Sequence, residues 1–148
     1  MIALDGPEAT ERFGGALAAA LRIGDVVALS GDLGAGKTTL SRGVLRGLGF
    51  TGDVASPTFP IVIPYQAPDV RLPIWHVDLY RIEYPEELEE LAIDEALGEA
   101  ALLIEWPERI GAGLWPHALR LHLSIEDSGR RCLTARVPGA WEARWPVT

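Results

Sequence analysis

The sequence has little of what marks a secreted or membrane protein. Cys132 is its only cysteine, so no internal disulfide can form. No apolar run approaches the length that crosses a bilayer. The first residues also lack the basic region, apolar segment and cleavage site of a secretory signal. These absences lead us to expect a cytoplasmic protein without a membrane partner.

Basic residues are also scarce. The chain has 13 Lys and Arg against 21 Asp and Glu, which gives a formal charge of −8 and a pI near 4.8. Such a charge opposes general binding to phosphate backbones, so any contact with nucleic acid is expected to be indirect or local. Apolar residues make up 48% of the 148 residues, which is enough for one core. We expect residues 1–148 to form a single domain.

One segment carries a clear chemical signature, and it reads Gly31-Asp32-Leu33-Gly34-Ala35-Gly36-Lys37-Thr38. An apolar, β-branched run precedes it and a helical pattern follows it, as a P-loop requires. The glycines let backbone N–H groups converge on phosphate, and the helix start adds its positive end. Lys37 is expected to bridge the β- and γ-phosphates of ATP or GTP, and the Thr38 hydroxyl to bind Mg²⁺.

Strand and helix patterns alternate along the rest of the chain. Thr10 is predicted to cap a helix with an apolar face that includes Phe13 and Leu17. Apolar runs predict strands at residues 61–65, 72–78 and 100–107, the first at a sheet edge because of its prolines. Alternating residues predict a C-terminal antiparallel hairpin around a turn at 127–130, with Cys132 as strand filler. The predicted fold is therefore α/β and P-loop NTPase-like, with a mostly parallel sheet flanked by helices.

Two predicted strands end in an acid, Asp78 and Glu105. Because ligands collect at the carboxyl edge of an open α/β sheet, both are candidates for binding Mg²⁺ and orienting water. Capping of the following loop is the alternative. His76 is either a catalytic group or, preferably, a hydrogen-bonding residue of the site or core. Trp106 either packs in the core or shelters the site, and Arg81 either steadies phosphate charge or pairs with acids.

The segment from Glu83 to Glu99 contains eight acids and no bases. Pro85 suits the first turn of a helix, in which Leu88, Leu91 and Ala92 are expected to form the buried stripe. A solvated helix face is the favoured interpretation of the acids. A docking surface for a basic partner is the alternative.

Taken in order, these motifs resemble the bacterial TsaE family, the small ATPase of tRNA threonylcarbamoyladenosine synthesis. The resemblance covers most of the chain. The P-loop is shared with many unrelated proteins, whereas the other elements in this order are specific to the family. The segments that carry it are Gly31 to Thr39, Ser56-Pro57-Thr58-Phe59, His76-Val77-Asp78-Leu79-Tyr80-Arg81, Pro85-Glu86-Glu87-Leu88 and Ile104-Glu105-Trp106-Pro107.

The resemblance implies a set of site residues. Mg²⁺ would lie near Thr38, Asp78 and Glu105. Our own mechanistic hypothesis makes Lys37, Asp78 and Glu105 catalytic, because Lys37 would neutralise charge on the γ-phosphate while Asp78 or Glu105 orients water. The Ser56-Pro57-Thr58 segment would act as a switch loop over the nucleotide. The residues that would contact ATP are Thr10, Gly34, Ala35, Gly36, Lys37, Thr38, Thr39 and Gly129.

The resemblance also implies partners. In the family this ATPase joins TsaB and TsaD, which attach a threonylcarbamoyl group to the adenosine beside the anticodon in tRNAs reading codons that begin with A. The ATPase does not transfer that group. Its ATP hydrolysis, weak without the partners, supports assembly and repeated turnover, and tRNA is reached only through the complex.

Two other functions stay open. A small-metabolite P-loop kinase would share Lys37, Thr38 and an acid on Mg²⁺, but it needs a basic lid, and no arginine-rich segment stands out in the sequence. A nucleotide-gated binding module that hydrolyses little by itself differs mainly in what ATP accomplishes.

Overall fold

A seven-stranded sheet lies at the centre of the described part of the chain. The computed structural model describes residues 2–32, 35–54, 62–80, 82–84, 86, 92–107 and 115–147. The strands follow one another in space as β1-β7-β6-β2-β5-β4-β3. Their bounds are β1 Ile2–Leu4, β2 Val26–Gly31, β3 Val62–Tyr65, β4 Ile74–Asp78, β5 Ala101–Glu105, β6 Leu119–Ile125 and β7 Arg131–Arg136.

The four central strands β6, β2, β5 and β4 run parallel to one another. Antiparallel strands close both sides, with β7 and β1 beyond β6 and β3 beyond β4. All five residues of β5 are buried, as expected for a strand covered on both faces. The predicted α/β fold, the edge position of β3 and the C-terminal hairpin are confirmed.

Two long helices cover one face of the sheet, α1 (Gly6–Ala20) and α2 (Lys37–Gly47). Glycine lets them approach closely, because a Cβ on Gly43 would overlap the backbone of Glu11. The core on this face joins Leu17 and Leu40 of the helices to Leu29 and Leu103 of the sheet. Helix α2, which follows the P-loop, is therefore held against both the sheet and α1.

The predicted cap at Thr10 is wrong. Helix α1 begins one turn earlier, at Gly6, and Asp5 precedes it in an extended conformation without a side-chain capping bond. Pro7 suits this earlier start because its fixed φ matches the first helical turn. Thr10 is buried within the helix, where its hydroxyl donates to the Gly6 carbonyl at 3.4 Å. The predicted apolar face is right, since Phe13 is among the residues buried in the core.

The acidic segment contains the short helix α3 (Ile93–Ala96). Ala92 precedes it with a φ of 54°, a left-handed conformation that the interior of a right-handed helix does not contain. Ala92 is exposed, so its predicted burial is wrong, and Ile93 and Ala96 supply the buried side instead. The rest of the predicted helix, with Pro85, Leu88 and Leu91, lies outside the described residues.

A second short helix, α4 (Gly139–Glu142), lies near the C-terminus. Arg144 follows it and donates to both carboxylate oxygens of Asp25, at 2.6 and 3.0 Å, while its guanidinium stacks on Trp141. Cys132 fills strand β7 as predicted, with its thiol donating to Glu126 at 2.9 Å. Within the described ranges, none of the helices combines the length and apolar character that spanning a membrane requires.

Candidate functional site

Asp78 and Glu105 stand opposite each other at the carboxyl ends of β4 and β5. Glu105 is also in register with Leu29 of β2, the strand that leads into the P-loop segment. Asp78 is only 4% exposed and Glu105 only 3%. The structure therefore brings the two predicted acids together, buried, at the sheet edge from which the P-loop segment leaves.

Burial raises the pKa of the Asp78 carboxyl above its ordinary value of 3.8. The Tyr80 N–H donates to Asp78 Oδ1 at 2.9 Å and lowers the pKa in part. The negative charge of Glu105 raises it further, while His76 and Lys37 lower it. Asp78 is thus a carboxylate whose charge is costly in this position, and a bound cation would relieve that cost.

Lys37 opens α2 with its ammonium group buried. Its Nζ donates to the carbonyl oxygen of Gly31 and, at 3.1 Å, to that of Asp32. The Trp106 indole covers the same ammonium, with Nζ 4.1 Å from the ring centroid. Carbonyl oxygens and an aromatic face therefore fix this cation at the end of β2.

Trp106 directly follows Glu105 in a left-handed conformation, with a φ of 62°. Its ring packs at 53° against that of Tyr80, with 4.9 Å between the centroids. Trp106 also packs against the smaller apolar core on the sheet face opposite α1 and α2. Trp106 therefore both touches the core and covers Lys37.

His76 forms a buried hydrogen bond with Glu105, with 2.7 Å between Nε2 and Oε2. Because an ionised carboxylate can only accept, we assign Nε2 as the donor in this hydrogen bond. The histidine is fully buried, and its place on β4 puts it on the same sheet face as Asp78. This contact matches the hydrogen-bonding interpretation of His76 rather than the catalytic one.

A small cavity lies beside the start of α2. Its volume is about 140 Å³, and its lining residues are Gly6, Pro7, Thr10, Gly36, Thr39, Gly129 and Arg131. The sequence predicts four of these as nucleotide-binding residues, namely Thr10, Gly36, Thr39 and Gly129. They come from three separate segments of the chain. The volume is below the 300–1,000 Å³ typical of whole ligand sites, so it suits one ring system. Gly6, Pro7 and Arg131 were not predicted, because none of the three belongs to a motif.

Gly36 shapes the transition from loop to helix. Its φ of 111° is left-handed, and its carbonyl accepts the Leu40 N–H at 2.8 Å to start α2. Ala35 is buried, and its N–H donates to the Asp32 carbonyl at 3.0 Å. Thr38 lies half-buried in the first turn of α2, beside Lys37. The predicted features outside the described residues are Gly34, the Ser56–Thr58 segment and Arg81.

The predicted donor set suits Mg²⁺ chemically. Thr38, Asp78 and Glu105 offer one hydroxyl and two carboxylates, and Mg²⁺ prefers such hard oxygen ligands. Burial, the main cause of the raised pKa of Asp78, makes the charge of this carboxylate costly, and a bound cation would stabilise it. Among the described residues, no three His, Cys, Asp or Glu side chains are grouped to hold a metal. A bound Mg²⁺ would therefore depend on phosphate and water oxygens for its remaining ligands.

The fold has a solved counterpart. It matches the crystal structure of Bacillus subtilis YdiB with a TM-score of 0.76 and 31% sequence identity. The match covers 96% of this chain and 88% of that one.

Sequence relatives agree with the structural match. The chain is 40% identical over 134 residues to a Bacillus subtilis protein, across 90% of this chain and 82% of the relative. It is 38% identical over 132 residues to a Rickettsia felis protein, across 88% and 76%. Both relatives are named tRNA threonylcarbamoyladenosine biosynthesis protein TsaE. The family described as Threonylcarbamoyl adenosine biosynthesis protein TsaE matches residues 4–133, and the chain belongs to this family.

Proposed function

We propose that this chain is the ATP-binding and ATP-hydrolysing subunit that supports threonylcarbamoyl modification of tRNA. The observation that carries the proposal is the buried pair Asp78 and Glu105, in register at the strand ends. Lys37 lies close enough to Asp78 to lower its pKa. Membership of the TsaE family supplies the pathway in which such a site would work.

The phosphates of ATP would lie along residues 34–39. Lys37 would exchange part of its contact with the Gly31 and Asp32 carbonyls for phosphate oxygens, and backbone amides would complete the cradle. Thr38, Asp78 and Glu105 would hold Mg²⁺, which neutralises phosphate charge when bound. One of the two carboxylates would orient the attacking water.

The cavity beside α2 would take the adenine end of the nucleotide. Thr10 and Gly129 lie on its wall together with Gly36 and Thr39, which adjoin the phosphate cradle. One nucleotide could place its base in this cavity and its phosphates along the loop, because Gly36 and Thr39 flank Lys37 and Thr38 in the sequence. The size of the cavity supports a single ring system at this end.

The proposed partners are TsaB and TsaD. ATP hydrolysis would be weak in the isolated chain, would rise when the partners bind, and would support assembly and repeated turnover of their complex. The chain itself would not transfer the threonylcarbamoyl group. With a formal charge of −8, it would reach tRNA through the complex rather than capture it directly. The cytoplasm is the proposed location.

Phosphate release tests this function. We expect ATP hydrolysis by the chain to rise when TsaB and TsaD are added, and the Lys37→Ala and Glu105→Ala variants to lose the increase. No stimulation together with no ATP-dependent binding of the partners would contradict the role in the synthase. Transfer of the phosphate to a small metabolite instead of water would support the kinase alternative.

A further inference from the structure

His76 is a fully buried imidazole that uses one of its two ring nitrogens. Nε2 donates to Glu105 Oε2 at 2.7 Å, whereas Nδ1 is buried without a hydrogen-bonding partner among the residues that the structure describes. A buried polar atom without a partner costs free energy. The hydrogen bond to Glu105 is thus the one polar contact that the ring is seen to make.

Packing alone does not explain a histidine at this position. In the sheet register His76 stands opposite Ile63 of β3 and Leu103 of β5. An apolar side chain would fill this space without leaving a ring nitrogen unpaired. The chemical gain from histidine is therefore the N–H that it directs at Glu105.

The two strand-end carboxylates are held in parallel ways. Asp78 Oδ1 accepts the Tyr80 backbone N–H at 2.9 Å, and Glu105 Oε2 accepts from His76. Glutamate has one more rotatable bond than aspartate, so it needs a donor farther from its own backbone. A side chain two residues before Asp78 on the neighbouring strand provides that donor.

We propose that His76 is a positioning residue that fixes the Glu105 carboxylate for ATP hydrolysis. It holds Oε2, and the second oxygen remains for Mg²⁺ or the attacking water. This inference rests on the proposed function. Some residues do not touch a metal but hydrogen-bond to its ligands. Removing such a hydrogen bond commonly lowers metal affinity or activity by about 10- to 100-fold.

Two substitutions separate positioning from packing. His76→Leu removes the donor and keeps an apolar filler, whereas His76→Gln retains an N–H donor. His117→Gln is the matched control, because His117 Nε2 lies 3.0 Å from the Gly24 carbonyl oxygen, just before β2 begins and away from the carboxyl edge. Each full-length variant is assayed with TsaB, TsaD, ATP and Mg²⁺. Thermal unfolding and ADP affinity without Mg²⁺ are recorded alongside.

We expect His76→Leu to lower kcat by about 10- to 100-fold and to raise the half-saturating Mg²⁺ concentration. His76→Gln should recover most of both values, and the control should match wild type. ADP affinity without Mg²⁺ should change less than about twofold in either His76 variant. When Glu105→Gln is already present, His76→Leu should add no further loss of kcat, because the positioned carboxylate is gone.

Three results would overturn the inference while leaving the proposed function in place. They are wild-type kcat in His76→Leu, equal losses in the Leu and Gln variants, and a full additional loss on top of Glu105→Gln. If His76→Leu does not fold, a tenfold fall of kcat in His76→Gln alone would also overturn the inference, because this variant keeps an N–H donor. A wild-type chain that neither binds nor hydrolyses ATP with its partners would instead overturn the proposed function, and the inference with it.

Discussion

Asp78 and Glu105 are register partners at the carboxyl ends of two adjacent parallel strands, and both are almost fully buried. Water would stabilise these groups better than the protein interior does. Hydrogen bonds from Tyr80 and His76 offset part of that cost. Such an arrangement lowers stability in the free protein and gives a cation a prepared place to bind.

Asp78→Asn should therefore stabilise the metal-free protein while reducing ATP hydrolysis by about 100-fold. The amide oxygen can still accept the Tyr80 N–H, but the buried charge is gone. Because the folded pKa of Asp78 lies above 3.8, wild-type stability falls as the pH rises from the unfolded pKa through the folded pKa. The advantage of Asn should therefore be largest at neutral pH and vanish below about pH 4.

Urea unfolding in EDTA at several pH values measures this difference. Glu142→Gln on the exposed side of α4 is a suitable control for the loss of one negative charge. Burial of the charged Asp78 carboxylate would not be destabilising if Asp78→Asn gave no stability gain at neutral pH. A gain that grows toward acidic pH would contradict the prediction as well.

The packing of α1 on α2 predicts a second effect. Gly43→Ala should cost about 1–3 kcal/mol of unfolding free energy, because the new Cβ overlaps the Glu11 backbone. Gly15→Ala is the matched control, since its Cβ would meet its nearest neighbour, the Gly43 carbonyl oxygen, at 3.9 Å. The control should gain about 0.5–1 kcal/mol from helix propensity. Denaturant titration measures the unfolding free energy of both variants. Equal changes in Gly43→Ala and Gly15→Ala would refute the packing argument.

The α/β fold was accessible from the sequence because its central elements have strong patterns. Strand β2, the glycine loop and α2 form one motif, and the C-terminal hairpin alternates apolar and polar residues around its turn. Strand β1 has only three residues, too few for a period to show, and it is completed by pairing with β7. The early start of α1 at Gly6 depended on Pro7 rather than on the side chain of Thr10.

Only part of the site could be predicted from the sequence, because only some of its residues belong to recognisable patterns. Asp78 and Glu105 could be found because each ends an apolar run, and such ends meet at one sheet edge. The bond from His76 to Glu105 depends on the neighbouring places of β4 and β5, which no sequence period reveals. Arg131 lines the cavity with Thr10 although 121 positions separate them in the printed sequence.

The ion pair near the C-terminus predicts a large stability effect. Arg144→Met should cost about 3 kcal/mol, because Arg144 and Asp25 are 10% and 9% exposed and the buried carboxylate would lose its only charged partner among the described residues. Arg46→Met is the control, since the Arg46 side chain is 45% exposed beside Glu11 and its loss should cost less than about 1 kcal/mol. If Arg144→Met and Arg46→Met unfold at the same urea concentration, Arg144 has no special role in holding the C-terminal segment.

The two interpretations of the acidic segment predict different effects on partner binding. If these acids dock a basic partner surface, replacing Glu86, Glu87, Glu89 and Glu90 together by Gln should weaken binding roughly tenfold at low salt, with less effect at high salt, whereas a solvated helix face predicts no change. A control of equal charge change replaces four exposed acids elsewhere, namely Asp53, Asp69, Asp127 and Glu142, by their amides. Unchanged affinity in the first variant, measured by calorimetry with TsaB and TsaD, would remove the docking interpretation.

Repeated tRNA modification by the reconstituted complex tests the central claim most directly. The measurement is the number of threonylcarbamoylated tRNAs formed per TsaD in the presence of TsaB, ATP, Mg²⁺ and a threonylcarbamoyl donor. We predict many rounds with the wild-type chain and no more than one round with Glu105→Ala or without the chain. As many rounds with Glu105→Ala as with wild type, or many rounds without the chain, would contradict the account.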